Sequence, residues 1–129
     1  MRIVLDTNAY SEAARGDARA AAVLRSADEI HLPFIVLAEL RAGFAVGTRG
    51  QKNESVLIEF LNSPRVHILL ADEQTTHHYA RIFACLRMLG TPIPTNDLWI
   101  AALSIQNDLI LFSKDEHFSM IPQIVRIPR

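Results

Sequence analysis

Four carboxylates stand where the surrounding residues are apolar: Asp6 follows Ile3-Val4-Leu5, Glu39 follows Ile35-Val36-Leu37-Ala38, Asp97 precedes Leu98-Trp99-Ile100-Ala101-Ala102, and Asp115 lies just beyond Leu109-Ile110-Leu111-Phe112. An acid in such company is costly to bury unless it is paired, hydrogen-bonded or bound to a cation. Each has a plainer reading. Asp97 suits the first turn of a helix as a dipole or capping carboxylate, and Asp6 and Asp115 suit simple turns. Glu39 could mark a polar helix face, but the polar companions this requires at Ile35, Val36, Ala42 and Gly43 are missing. Arg41 is two positions from Glu39 and projects from a different side of a helix.

Taken together, the acids point to chemistry. If Asp6 and Asp115 end buried strands while Asp97 and Glu39 lie on helices whose first turns face the same edge, the carboxylates converge. Clustered like charges cannot all stay ionised without compensation, and oxygen-rich sites hold hard divalent cations such as magnesium or manganese. Such a cation activates a bound water and neutralises charge on phosphoryl oxygens, so phosphodiester hydrolysis needs no covalent nucleophile.

The elements that must position these acids follow from periodicity and punctuation. Residues 2–5 predict a buried strand, 10–14 a short helical piece, and 18–25 a helix capped by Asp17; residues 29–32 predict a second strand. A largely apolar helix follows Pro33, and residues 47–53 read as a loop before a helix over 54–61. Residues 66–70 predict a strand, and Asp72 caps a long helix that Gly90 ends, with Tyr79, Ile82, Phe83 and Leu86 as its core stripe. Thr95 or Asn96 is the expected cap of a helix beginning at Asp97, with Leu98, Ala101, Ala102 and Ile105 on its buried side. Residues 109–112 form a strand and 124–127 an edge strand. The alternation predicts an α/β fold with a short, mainly parallel sheet between helical layers.

The chain has 129 residues, 50% apolar and 21% charged, which suits a single domain over 1–129. A net charge of -1 provides no global positive field, so any nucleic-acid surface must be local or supplied by a metal. Arg41, Arg49 and Lys52 are the candidates for phosphate contacts. Residues 1–6 contain no signal-type apolar stretch and no run approaches a membrane span, which predicts a cytoplasmic protein without membrane contact. Cys85, the single cysteine, falls on a helical apolar pattern and reads as a core thiol. His31 and His67 sit alone in strand contexts, His77 and His78 face apart, and no zinc-ligand spacing appears.

Four segments in order carry a family resemblance: Ile3-Val4-Leu5-Asp6-Thr7-Asn8, Leu37-Ala38-Glu39-Leu40, Thr95-Asn96-Asp97-Leu98-Trp99-Ile100-Ala101-Ala102, and Leu111-Phe112-Ser113-Lys114-Asp115-Glu116-His117-Phe118. Nearly end to end, the chain resembles PIN-domain proteins, specifically the VapC ribonuclease toxins of toxin–antitoxin pairs. The resemblance implies a PIN fold in which Asp6, Glu39, Asp97 and Asp115 gather magnesium or manganese, supported by Thr7, Asn8 and Thr95. It also implies cleavage of RNA by metal-activated water, a homodimer, and a cognate antitoxin that obstructs the site. Two alternatives stand beside it. Val4-Leu5-Asp6-Thr7-Asn8 and Lys114-Asp115 resemble a haloacid-dehalogenase-like phosphatase, although Asn8 cannot serve as that family's general acid. A catalytically inactive PIN fold that binds RNA or protein is the other.

Overall fold

Strand and helix alternate from the first residues onward, and the computed structural model, which describes residues 1–127, shows what that alternation builds. The elements are β1 (Arg2–Leu5), α1 (Thr7–Ala14), α2 (Ala18–Ser26), β2 (Glu29–Pro33), α3 (Phe34–Val46), α4 (Gly50–Leu61), β3 (Val66–Leu69), α5 (Glu73–Leu89), α6 (Thr95–Gln106), β4 (Ile110–Phe112), a 3-10 helix (Glu116–Met120) and β5 (Arg126–Ile127). The strands form one sheet in the order β3-β2-β1-β4-β5, every neighbouring pair parallel. This is the expected α/β architecture, a short parallel sheet flanked by helices.

The central strands carry continuous apolar runs because helices cover the sheet. Ile3, Val4, Leu5 and Leu111 are fully buried, joined in the core by Ile30, Leu32, Leu57, Ala101 and Leu103. From β1 the chain moves outward through β2 to β3, and α5 and α6 then return it to the opposite side of β1. Strand order thus reverses between β1 and β4. In open parallel sheets the crevice beyond the carboxyl ends of two such strands is where ligands bind.

Local chemistry accounts for the boundaries. Asp72 and Thr75 form a reciprocal capping box at the start of α5, and Gly90 closes that helix in the left-handed conformation at φ 71°, which glycine adopts without a Cβ penalty. At the α3–α4 turn, a Cβ on Gly50 would come within 2.5 Å of the Phe44 carbonyl oxygen, so this close approach requires glycine.

Several boundary expectations need correction. Helix α1 begins at Thr7, ahead of the expected Tyr10, because the Asp6 side chain caps it. Residues 50–53 belong to α4, which shortens the expected loop. Neither Thr95 nor Asn96 caps α6. Pro94 holds the extended position before the helix, its carbonyl accepts the Leu98 N–H at 3.1 Å, and Thr95 and Asn96 are already helical. Phe83 is 47% exposed and Tyr79, Cys85 and Ile105 are only partly buried, so these residues sit at the margin of the core. His31 and His67, expected to be isolated, are register partners across β2 and β3 with ring centroids 5.1 Å apart. The edge strand shortens to Arg126–Ile127.

Candidate active site

Strand register assembles the first part of the site. Leu5 pairs with Phe112, so the next residues, Asp6 and Ser113, leave β1 and β4 side by side. Asp6 is buried, and both of its oxygens are held: Oδ1 accepts the Ala9 N–H at 2.8 Å and Oδ2 accepts the Ser113 hydroxyl. Ser113 Oγ in turn accepts the Asp115 N–H at 3.0 Å, linking the two strand-end acids through one hydroxyl. Burial pushes the Asp6 carboxyl above its ordinary range. The Ser113 and Ala9 hydrogen bonds oppose that rise, and repulsion from Asp115 and Asp97 adds to it.

Asp97 reaches the same edge from the other direction. Because α6 leads back to the start of β4, its first turn lies near the strand's carboxyl end, and Asp97 is in that turn. Asp115 caps the following 3-10 helix, accepting the His117 N–H at 2.9 Å. One ligand atom each from Asp97, Asp115 and His117 lies within 4.8 Å of the others. His117 Nδ1 is 2.8 Å from Asp97 Oδ2 and 3.1 Å from Asp115 Oδ1. Burial raises the Asp97 carboxyl, the His117 bond lowers it, and Asp115 and Glu39 push it up again. The bond to Asp97 raises His117, helped by the charges of Asp115 and Asp97.

Glu39 joins from α3, where it is the sixth residue and so lies in the second turn. Its Oε1 accepts the Thr7 hydroxyl at 2.6 Å, which ties α3 to the residue after Asp6. Asp6, Asp97 and Asp115 thus lie in mutual electrostatic range, and Glu39 reaches the group through Asp97. Of the expected supports, Thr7 bonds a site acid, and Asn8 borders a cleft of about 330 Å³ with Asp115. Thr95 is exposed at the start of α6, and no hydrogen bond joins it to these acids among the described residues.

The basic candidates divide. Arg41 is engaged by Glu54 through two parallel contacts, Nε–Oε1 at 3.1 Å and Nη2–Oε2 at 2.9 Å, which commits its guanidinium away from the acids. Arg49 and Lys52 line a groove of about 600 Å³ beside α1. Ser113 and His117 had no expected role. The signal for Ser113 was its place after β4, matching that of Asp6 after β1; His117 stood two residues beyond Asp115, outside any histidine-to-histidine spacing.

The donor set fits a hard divalent cation. Carboxylate oxygens dominate it, two acids are forced above their ordinary range by burial and mutual repulsion, and the exposed imidazole facing Asp97 and Asp115 sits where positive charge is needed.

Known proteins with similar sequences share this frame. The PIN domain family profile matches residues 3–123. Ribonuclease VapC1 of Haemophilus influenzae (strain R2866) is 35% identical over 86 residues, 67% of this chain, and the match spans 63% of that protein's length. Toxin FitB of Neisseria gonorrhoeae is 34% identical over 122 residues, covering 88% of this chain and 87% of FitB. Among solved structures, VapBC2 from Rickettsia felis, bound to a DNA fragment from its promoter, superposes with a TM-score of 0.87 at 27% identity, covering 98% of both chains. No helix among the described residues is long and apolar enough to cross a membrane.

Proposed function

The chain belongs to the PIN domain family, in its VapC-type branch, and from that premise we propose that it is a magnesium- or manganese-dependent endoribonuclease, the toxin of a toxin–antitoxin pair. The observation that carries this reading is the meeting of Asp97 and Asp115 at the edge where Asp6 ends β1. Asp6, Asp97 and Asp115 would hold the metal, with Glu39 positioned by Thr7 alongside them. When bound, the metal supplies an activated water and neutralises charge on the phosphoryl group.

The side chains have distinct tasks. Ser113 holds the Asp6 carboxylate directly and anchors the Asp115 backbone beside it, which orients one acid and places the other. Glu39 keeps Oε1 on the Thr7 hydroxyl, which would leave its second oxygen to take a proton or a water. His117 holds the Asp97 and Asp115 carboxylates, and a cation bound to the same oxygens would compete with it for them.

The phosphatase alternative finds no support in these contacts. Lys114, the lysine that reading requires beside Asp6, is committed to Glu12 at 2.7 Å, and the family profile that matches residues 3–123 is the PIN domain. The names of VapC1 and FitB support an RNA substrate and a toxin role. We extend the reading to a cytoplasmic location, a cognate antitoxin partner and a homodimer. Exposed Phe83, Met88 and Leu89 beside a 230 Å³ apolar groove favour self-association.

The test is cleavage of a mixed-sequence RNA by the purified chain with magnesium, with manganese and with chelator, alongside growth on expression with and without a neighbouring antitoxin gene. Metal-dependent cutting together with rescued growth is expected. A folded protein that leaves RNA intact in both metals would return the inactive PIN alternative.

A further inference from the structure

We propose that Arg15, continued by Arg49 and Lys52, binds phosphates of the RNA strand and guides it to the acid centre; this rests on the ribonuclease reading above. Helix α1 is flanked by Asp6 as its N-terminal cap and Arg15 as its C-terminal cap, about 13.5 Å apart at 1.5 Å per residue. One side of α1, with Asn8 and Glu12, faces Lys114 and Asp115 across the 330 Å³ cleft. The other side borders the 600 Å³ groove that holds Arg49 and Lys52. Arg15 lines both, and so connects the groove to the cleft that contains a site acid.

The cations around these two spaces differ in what they are free to do. Lys114 is neutralised by Glu12 and Arg41 by Glu54. The side chains of Arg15, Arg49 and Lys52 have no ion pair or hydrogen bond among the described residues. An uncommitted guanidinium retains its planar set of donors for a phosphate, which it can bind through two bonds. The need is electrostatic. Asp6, Glu39, Asp97 and Asp115 repel a polyanion beyond the reach of the metal, and a net charge of -1 gives the whole chain no attractive field. A row of three uncommitted cations leading to the acids supplies local attraction, and their backbone-directed chemistry suits a strand of any sequence.

Leu40, Phe44 and Val56 also line the groove, and could instead receive a protein segment; the experiment separates the two. Binding of a fluorescein-labelled, single-stranded 14-nucleotide RNA of mixed sequence is followed by anisotropy as salt varies, in an Asp97→Asn background that prevents cutting. Arg15→Gln, Arg49→Gln, Lys52→Gln and Arg15→Lys are compared with Arg25→Gln, an exposed change on α2 outside both spaces. Each lost contact to a single strand should reduce the salt slope by about 0.7, equivalent to about five-fold weaker binding at 0.1 M salt. Arg15→Lys should keep the slope, and Arg25→Gln should match the parent. In the cleaving protein, Arg15→Gln should raise KM with little change in kcat. If wild type cuts RNA while all three glutamine variants keep the parental slope and KM, the ribonuclease reading stands and this proposal falls. Loss of antitoxin binding in Arg15→Gln with an unchanged RNA slope would assign the groove to protein and overturn it equally.

Discussion

The Nδ1 of His117 lies 2.8 Å from Oδ2 of Asp97. A carboxylate can only accept, so Nδ1 carries a hydrogen, and the raised His117 pKa favours the imidazolium. This pair makes metal-free stability pH-dependent. A raised histidine contributes stability that is complete below its unfolded value near 6.5 and is lost as pH rises through the folded value. Asp6 and Asp97, also raised, bind protons more tightly folded than unfolded and add stability as pH falls toward their unfolded value of 3.8. Asp28, Glu29 and Asp72 are lowered and lose stability only below their unfolded values of 3.8, 4.5 and 3.8. Between pH 8 and 5 the site therefore dominates. With chelator, the melting temperature should rise as pH falls through that window; His117→Ala with Asp97→Asn should flatten the rise. A flat wild-type profile would contradict the coupling.

Ser113→Ala should impair both fold and site. It removes the hydroxyl between Asp6 and Asp115 and leaves a buried carboxylate oxygen unpaired, at a cost of about 1–3 kcal/mol. Groups that orient metal ligands are typically worth about 10–100-fold in metal affinity or activity. Denaturant unfolding and RNA cleavage measure the two effects. Wild-type activity in the alanine variant would show that Asp6 is held without it.

Asp72→Ala should separate stability from function. It breaks the capping box with Thr75 and a 2.8 Å bond from Gln106, which lies at the opposite end of α6 from Asp97. Loss of such a cap costs about 1 kcal/mol. Cleavage per folded molecule should remain unchanged; a fall in kcat at a temperature where the variant is fully folded would mean that α5 and α6 transmit strain to Asp97.

The parts of this arrangement legible in the sequence are those determined by local pattern. The apolar runs before Asp6 and Ser113 announce buried parallel strands, and Asp17, Asp72 and Gly90 announce helix ends at the observed places. What sequence could not provide depends on distant pairing. Ser113 meets Asp6 only because Leu5 and Phe112 are register partners, 107 residues apart in sequence. Arg41 is close to Glu39 along the chain, yet the α3–α4 turn hands it to Glu54. At α6, polar Thr95 and Asn96 suggested a cap, but cap preference yields to Pro94, whose fixed backbone already ends the preceding segment. His117 has no histidine partner at metal-ligand spacing; its partners are carboxylates from α6 and the turn after β4, which only the fold brings to it.

Isothermal titration of manganese into metal-free wild type, Asp97→Asn and Asp115→Asn, each checked for an unchanged circular dichroism spectrum, tests the central claim directly. Wild type should bind manganese at the acid centre and release protons as His117 gives way, with affinity increasing with pH, and both asparagine variants should lose that binding along with RNA cleavage. Equal manganese binding in all three proteins, or cleavage retained by either variant, would mean that Asp97 and Asp115 meet at this edge for structural reasons and that no metal-dependent nuclease centre is built there.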